Sequence, residues 1–96
     1  MPFPDSFLQE LKLRSDITEI ASSYVNLKRH GRNMVGLCPF HGEKTPSFNI
    51  YTENGSFYCF GCGAGGDVIT FIMKIENLDY VEAVKFVAQR AGMEMP

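Results

Sequence analysis

The spacing Cys38-x-x-His41, seventeen residues, then Cys59-x-x-Cys62 constrains this 96-residue chain more than any other feature. Two ligand pairs, each with two residues between its members and a hairpin-sized stretch between the pairs, form the pattern of a structural zinc site. The local sequences resemble each other: Cys38-Pro39-Phe40-His41-Gly42 and Cys59-Phe60-Gly61-Cys62-Gly63. A glycine follows each pair, and glycine can take a positive φ where a knuckle turns back beneath the metal. Three cysteines cannot all pair with one another, so a disulfide framework does not explain them. His30 is a rival fourth ligand, but it lies eight residues before Cys38 and has no paired spacing. The expected cofactor is one structural Zn²⁺ held by three thiolates and one imidazole. Zinc in small peptides contributes about 10–16 kcal/mol of apparent binding energy, which rivals the roughly 5–15 kcal/mol stability of a whole domain. The metal is therefore expected to hold the fold together.

Composition supports a folded chain: 45% apolar, 12% aromatic and 21% charged residues exclude a disordered tail. The length suits one domain, spanning 1–96. No apolar run reaches the length of a membrane span, and the N-terminal residues lack the basic and apolar regions of a signal peptide. Helices are expected at both ends. Pro4 suits a first helical position, and Phe7, Leu8 and Leu11 form an apolar stripe running to Leu13. Asp16 and Glu19 have capping-box spacing for a second helix over Ile17–Ser23. Alternation predicts strands over Val25–Lys28 and Met34–Leu37, joined by the turn His30–Asn33. Phe48 and Ile50 alternate with polar neighbours, Asn54-Gly55 turns the chain, and Ser56–Cys59 returns to the second knuckle. Gly63 to Gly66 reads as a flexible passage, with no Gly-Lys-Ser/Thr to make it a phosphate loop. Asp67 caps a helix whose apolar residues run from Val68 to Ile75, although their β-branched character would also permit a strand. A last helix carries Tyr80, Ala83, Val84, Val87 and Ala91 on one face and ends at Gly92. The fold class is α+β: a zinc ribbon with an antiparallel sheet, flanked by short helices at both ends.

The net charge of −2 is unevenly spread, because Val25–Ile50 carries +3 and the remainder −5. A basic middle third in an acidic chain is expected to give one face that meets an anion. If Val25 and Leu27 point inward, Asn26, Lys28 and His30 point outward, as do Asn49 and Tyr51. Arg29, Arg32 and Lys44 lie around the hairpins, with Phe57 and Tyr58 on a neighbouring strand. Cations interleaved with aromatic rings on a flat sheet suit single-stranded nucleic acid. Lys28, Arg29, Arg32, Lys44, Tyr51, Phe57 and Tyr58 are the candidate contacts. The bland alternative is a solvated sheet over core aromatics. His41-Gly42-Glu43 followed by Cys59-x-x-Cys62 also imitates a zinc deaminase signature. A fourth protein ligand, Cys38, leaves that metal no position for water, and Tyr58 stands where the signature has proline. No catalytic residue is assigned.

The stretch Cys38-Pro39-Phe40-His41-x-Glu43-Lys44-Thr45-Pro46-Ser47-Phe48, with Phe57-Tyr58-Cys59-Phe60-Gly61-Cys62-Gly63-x-Gly65-Gly66-Asp67-Val68-Ile69, resembles the amino-terminal zinc-binding domain of bacterial DNA primases. The resemblance runs from Pro4 to Gly92. It implies one structural zinc on the Cys-His-Cys-Cys set and a role in recognising single-stranded template and the initiation trinucleotide during RNA primer synthesis. It implies a fragment of a longer enzyme, with the polymerase core and the helicase-interacting domain lying elsewhere. The implied partners are template DNA, the polymerase core in cis or in trans, and, through other parts of the full chain, the replicative helicase. The implied location is the bacterial cytoplasm at the replication fork, with no membrane contact. By position Lys28, Arg32 and Lys44 match basic family positions. The segment from Tyr51 to Ser56 lacks a lysine that is frequent in the family, so the basic footprint here is smaller. A competing expectation is a structural module that docks on the polymerase core or another replication protein, through the acidic outer faces of the terminal helices.

Overall fold

The computed structural model describes residues 3–42 and 44–96. Helices α1 (Asp5–Arg14) and α2 (Ile17–Ser22) precede a five-stranded sheet, and α3 (Val68–Ile75) and α4 (Tyr80–Ala91) follow it. The strands are β1 (Lys28–His30), β2 (Asn33–Gly36), β3 (Phe48–Tyr51), β4 (Ser56–Cys59) and β5 (Gly65–Gly66). They lie in sequence order, each antiparallel to the next. The first metal-binding knuckle follows β2 and the second follows β4, so the meander brings both to one end of the sheet.

Register assigns every strand residue to a face, because side chains alternate along each strand. Arg29, Met34, Ile50, Phe57 and Gly66 are aligned across the sheet and share the inner, helix-covered face. Lys28, Val35, Asn49, Tyr58 and Gly65 form the adjacent row and share the outer face. Phe48, Ile50 and Phe57 on the inner side are fully buried against Phe71, Ile69 and Ile72 of α3 and Val84 and Val87 of α4. Four rings join at the centre of this core: Phe40, Phe48, Phe57 and Phe71, with all six centroid separations between 5.6 and 6.1 Å. Phe40 belongs to the first knuckle, so the metal-binding turn is anchored directly in the hydrophobic core.

Several element boundaries depart from the sequence expectation for identifiable reasons. Pro4 is the N-cap of α1 rather than its first helical residue. Leu13 does not complete the buried stripe; it is 88% exposed. The first strand begins at Lys28, three residues later than the alternation suggested. The N–H groups of Tyr24 and Val25 both donate back to the Ala21 carbonyl at 2.9 Å, so this segment closes α2 instead of pairing in the sheet. β2 likewise begins at Asn33 and leaves Leu37 exposed. Gly65 and Gly66, expected as a flexible passage, form β5 against Tyr58 and Phe57. The segment after Asp67 is a helix, capped by the Asp67 carboxylate, which accepts from the Thr70 N–H at 2.9 Å.

Candidate metal centre and nucleic-acid interface

The two knuckles share one local geometry. In the first, the Phe40 N–H donates to Cys38 Sγ at 3.4 Å, and in the second the Gly61 N–H donates to Cys59 Sγ at 3.4 Å. Each turn thus points an amide at its own leading sulfur, which favours the thiolate that a metal requires. The ligand atoms of Cys38, His41, Cys59 and Cys62 all lie within 4.8 Å of one another. Cys38 Sγ and Cys62 Sγ are 3.8 Å apart, and Cys59 Sγ and His41 Nδ1 are 4.0 Å apart. A tetrahedron with Zn–S bonds of about 2.3 Å has an S–S edge of about 3.8 Å, so the donor set fits one zinc ion. Four protein ligands fill a tetrahedron, which makes the site structural. Glu43, the residue on which a deaminase reading would depend, lies outside the described residues. His30 sits on edge strand β1 and is not a member of the cluster.

The expectation of a positive φ after each pair holds at Gly63 (φ 81°) but not at Gly42. The more constrained glycine is Gly61, where an added Cβ would lie 2.8 Å from both His41 Nε2 and Ser47 Oγ. The imidazole packs flush on the second knuckle, and only a residue without a side chain leaves it room. Ser47 is the junction of the site. Its hydroxyl lies 3.4 Å from Cys59 Sγ, and its carbonyl accepts from the Phe60 N–H at 2.9 Å and from Asn49 Nδ2 at 3.2 Å. Burial pushes the Cys38 thiol up to about 12. Burial acts the same way at Cys59, but hydrogen bonds from Ser47, Cys62 and Gly61 outweigh it and bring that thiol down to about 7.

The candidate nucleic-acid contacts divide between surfaces. Lys28, Tyr51 and Tyr58 are on the outer face of the sheet, with Asn49 and Ser56 between them. Among the described residues no helix covers this face, and none of its strand residues is acidic. Arg32 occupies the two-residue turn between β1 and β2, and Lys44 is exposed in the loop after the first knuckle. Two expectations need correction. Phe57 is 2% exposed and stacks within the four-ring core, so its ring is closed to any base. Arg29 is exposed, but its place in the register puts it on the inner side, at the edge of the helix layer, away from Lys28. Among the described residues, Lys28, Arg29 and Arg32 have no carboxylate partner.

Sequence reasoning passed over Phe60, which is 68% exposed and stands edge-to-face against Tyr58 at 4.9 Å. The available signal was its position. In Cys59-Phe60-Gly61-Cys62 the ring directly follows the leading cysteine, whereas Phe40 occupies the next position along in its own knuckle and turns inward.

A family model described as CHC2 zinc finger matches residues 3–96. A DNA primase of Geobacillus stearothermophilus is 50% identical over 92 residues, covering 96% of this chain and 15% of the relative. One of Pseudomonas putida is 50% identical over 93 residues, covering 97% of this chain and 14% of the relative. The chain thus spans about one-seventh of the curated relatives it matches. A crystal structure of Aquifex aeolicus primase, comprising zinc-binding and RNA polymerase domains, superposes with a TM-score of 0.88 at 40% identity. That match covers 94% of this chain and 22% of the other.

Proposed function

This chain belongs to the CHC2 zinc finger family, and from that membership we propose that it is the template-recognising module, residues 1–96, of a longer bacterial DNA primase. In this reading the module itself is non-catalytic. Zinc holds the knuckles and the sheet, and the outer face receives single-stranded template and helps choose the initiation trinucleotide. Primer synthesis belongs to the polymerase core, reached in cis or in trans, and contact with the replicative helicase belongs to other parts of the full protein.

The observation that carries this reading is the outer sheet face. In a chain of net charge −2 it presents Lys28, Tyr51 and Tyr58 without a carboxylate among its strand residues. Lysine neutralises phosphate, and exposed rings stack on bases of any sequence. With Lys28, Arg32 and Lys44 as the phosphate contacts, log affinity falls with log salt at a slope of about −2 on single strands. So small a footprint binds weakly, and tethering to the core would raise the effective concentration.

The test is an NMR titration of the zinc-loaded chain with short single-stranded DNAs of varied trinucleotide content. Shifts centred on Lys28, Arg32 and Lys44 that depend on sequence are expected, and Lys28→Ala and Arg32→Ala should weaken them. No shifts at millimolar DNA would sink the reading. A second reading, docking against the polymerase core, is favoured by a groove of about 860 Å³ on the opposite side. Exposed Leu13 and Arg29 and half-buried Met34 line it, together with Ser15 and Thr18, whose buried hydroxyls have no hydrogen-bond partner. Leu13→Asp would disturb docking and leave DNA shifts unchanged.

A further inference from the structure

We infer that Phe60 and Tyr58 form a nucleobase-stacking step on the second knuckle, and that Asn49 beside them distinguishes bases by their edges. The inference rests on the template-binding reading of the outer face and adds which side chains meet a base and which one chooses it.

The step is built before any partner arrives. Phe60 sits between two metal ligands, Cys59 and Cys62, and its N–H is committed to the Ser47 carbonyl at 2.9 Å. Its ring meets Tyr58 at an interplanar angle of 74°, the edge-to-face geometry that aromatic pairs favour. Tyr58 in turn lies along Gly65, where an added Cβ would come within 2.9 Å of its Cδ1. Backbone and metal knuckle therefore hold both rings in place, while 68% of Phe60 and 39% of Tyr58 remain open to solvent. Every base has a π face, so such a step binds without selecting.

Selection needs donors and acceptors at the base edge. Asn49 is directly opposite Tyr58 in the β3–β4 register, on the same face. Its Nδ2 donates to the Ser47 carbonyl at 3.2 Å, the same carbonyl that takes the Phe60 N–H. One backbone oxygen thus fixes both the ring-bearing residue and the orientation of the amide. The remaining N–H and Oδ1 of Asn49 form a donor–acceptor pair of the kind that matches adenine N6 and N7. The Ser47 hydroxyl, 3.4 Å from Cys59 Sγ, ties this corner to the metal.

The experiment measures affinity of the zinc-loaded chain and its variants for a panel of pentadeoxynucleotides differing in the central trinucleotide, with zinc content checked for each protein. Phe60→Ala should weaken every member by about tenfold, and Phe60→Trp should restore binding. Asn49→Ala should lower the preferred members about tenfold while sparing the weakest, which compresses the spread. Asn49→Asp, of equal size but acceptor-only, should shift preference towards cytosine through its N4 donor. Wild-type affinity in Phe60→Ala across the panel would overturn the stacking step, and Phe60 would then belong to a protein contact. Uniform weakening by both Asn49 variants would overturn edge reading. If the wild-type chain bound no member, this inference and the template-binding reading would fall together; binding by wild type that ignores these residues would remove this inference alone.

Discussion

A single missing side chain controls how closely the two knuckles approach. Gly61→Ala would push a methyl group to 2.8 Å from His41 Nε2 and Ser47 Oγ, and neither neighbour can retreat without moving a ligand or its hydrogen-bond partner. Zinc affinity should fall 10- to 100-fold, the usual cost of disturbing groups that orient metal ligands. Competition with a chromophoric chelator would read the loss, and Gly42→Ala, which meets open space, should match wild type. The thiols add a pH signature. With Cys38 at about 12, zinc must displace its proton at every pH where the protein is handled, so affinity should rise at least tenfold per pH unit between 7 and 9. Below about 7, Cys59 also takes a proton and the slope should steepen. The same competition assay run across that range would show it, and a flat profile would contradict the assignment of Cys38 as a ligand. These ligands were legible from spacing alone. Ser47 was not, because its contacts are hydrogen bonds between segments that sequence periodicity does not relate, and Phe60 differs from Phe40 only by one position within its knuckle.

At the level of elements, capping residues were readable and strand starts were not. Asp16, Asp67 and Asp79 each accept a backbone N–H at the start of a helix. Asp67 also meets Lys12 Nζ at 3.0 Å and so links α3 to α1. Burial raises the pKa of its carboxyl, but the Thr70 N–H and Lys12 outweigh burial and hold it below the usual value. Asp67→Ala should cost about 1 kcal/mol, mostly through the cap, since the Lys12 pair is half-exposed and screened. A group with a depressed folded pKa stabilises above its unfolded value and loses that contribution only as pH falls through the folded one. The gap between wild type and Asp67→Ala in urea unfolding should therefore stay constant from pH 7 to 5. The late start of β1 has a local cause. Val25 and Leu27 look like half of an alternating strand, yet two backbone N–H groups return to Ala21 and delay pairing until Lys28. That three-residue delay leaves the outward placement of Lys28 intact, and Arg29 takes the inner side that the same alternation gives it, which a charge count over the basic third cannot detect. β5 escaped notice because two glycines carry no side-chain pattern; only their pairing with Phe57 and Tyr58 identifies them.

Across the whole molecule, no layer possesses a core of its own. Phe48 and Phe57 come from the sheet, Phe71 from α3 and Phe40 from the metal knuckle, and the four rings are mutual neighbours. A chain of 96 residues buries only about two-thirds of its unfolded surface, which leaves a narrow margin of stability. The α+β architecture with its zinc clip was legible because the metal ties two knuckles at known positions. The convergence of the rings was not, because it depends on which side of each knuckle faces the core. Loss of zinc frees Phe40 together with Cys38 and His41, so the cluster and the knuckle should come apart in one step. The four ligands converge only in the folded chain, so stability should rise by up to about 1.4 kcal/mol for each tenfold increase in free zinc above the dissociation constant. Urea unfolding in zinc-buffered solutions, followed both by circular dichroism and by tyrosine fluorescence, would measure that slope. Coincident curves whose midpoints climb with log zinc would establish the metal as part of the core. A midpoint indifferent to zinc would mean that the aromatic cluster holds the domain without it.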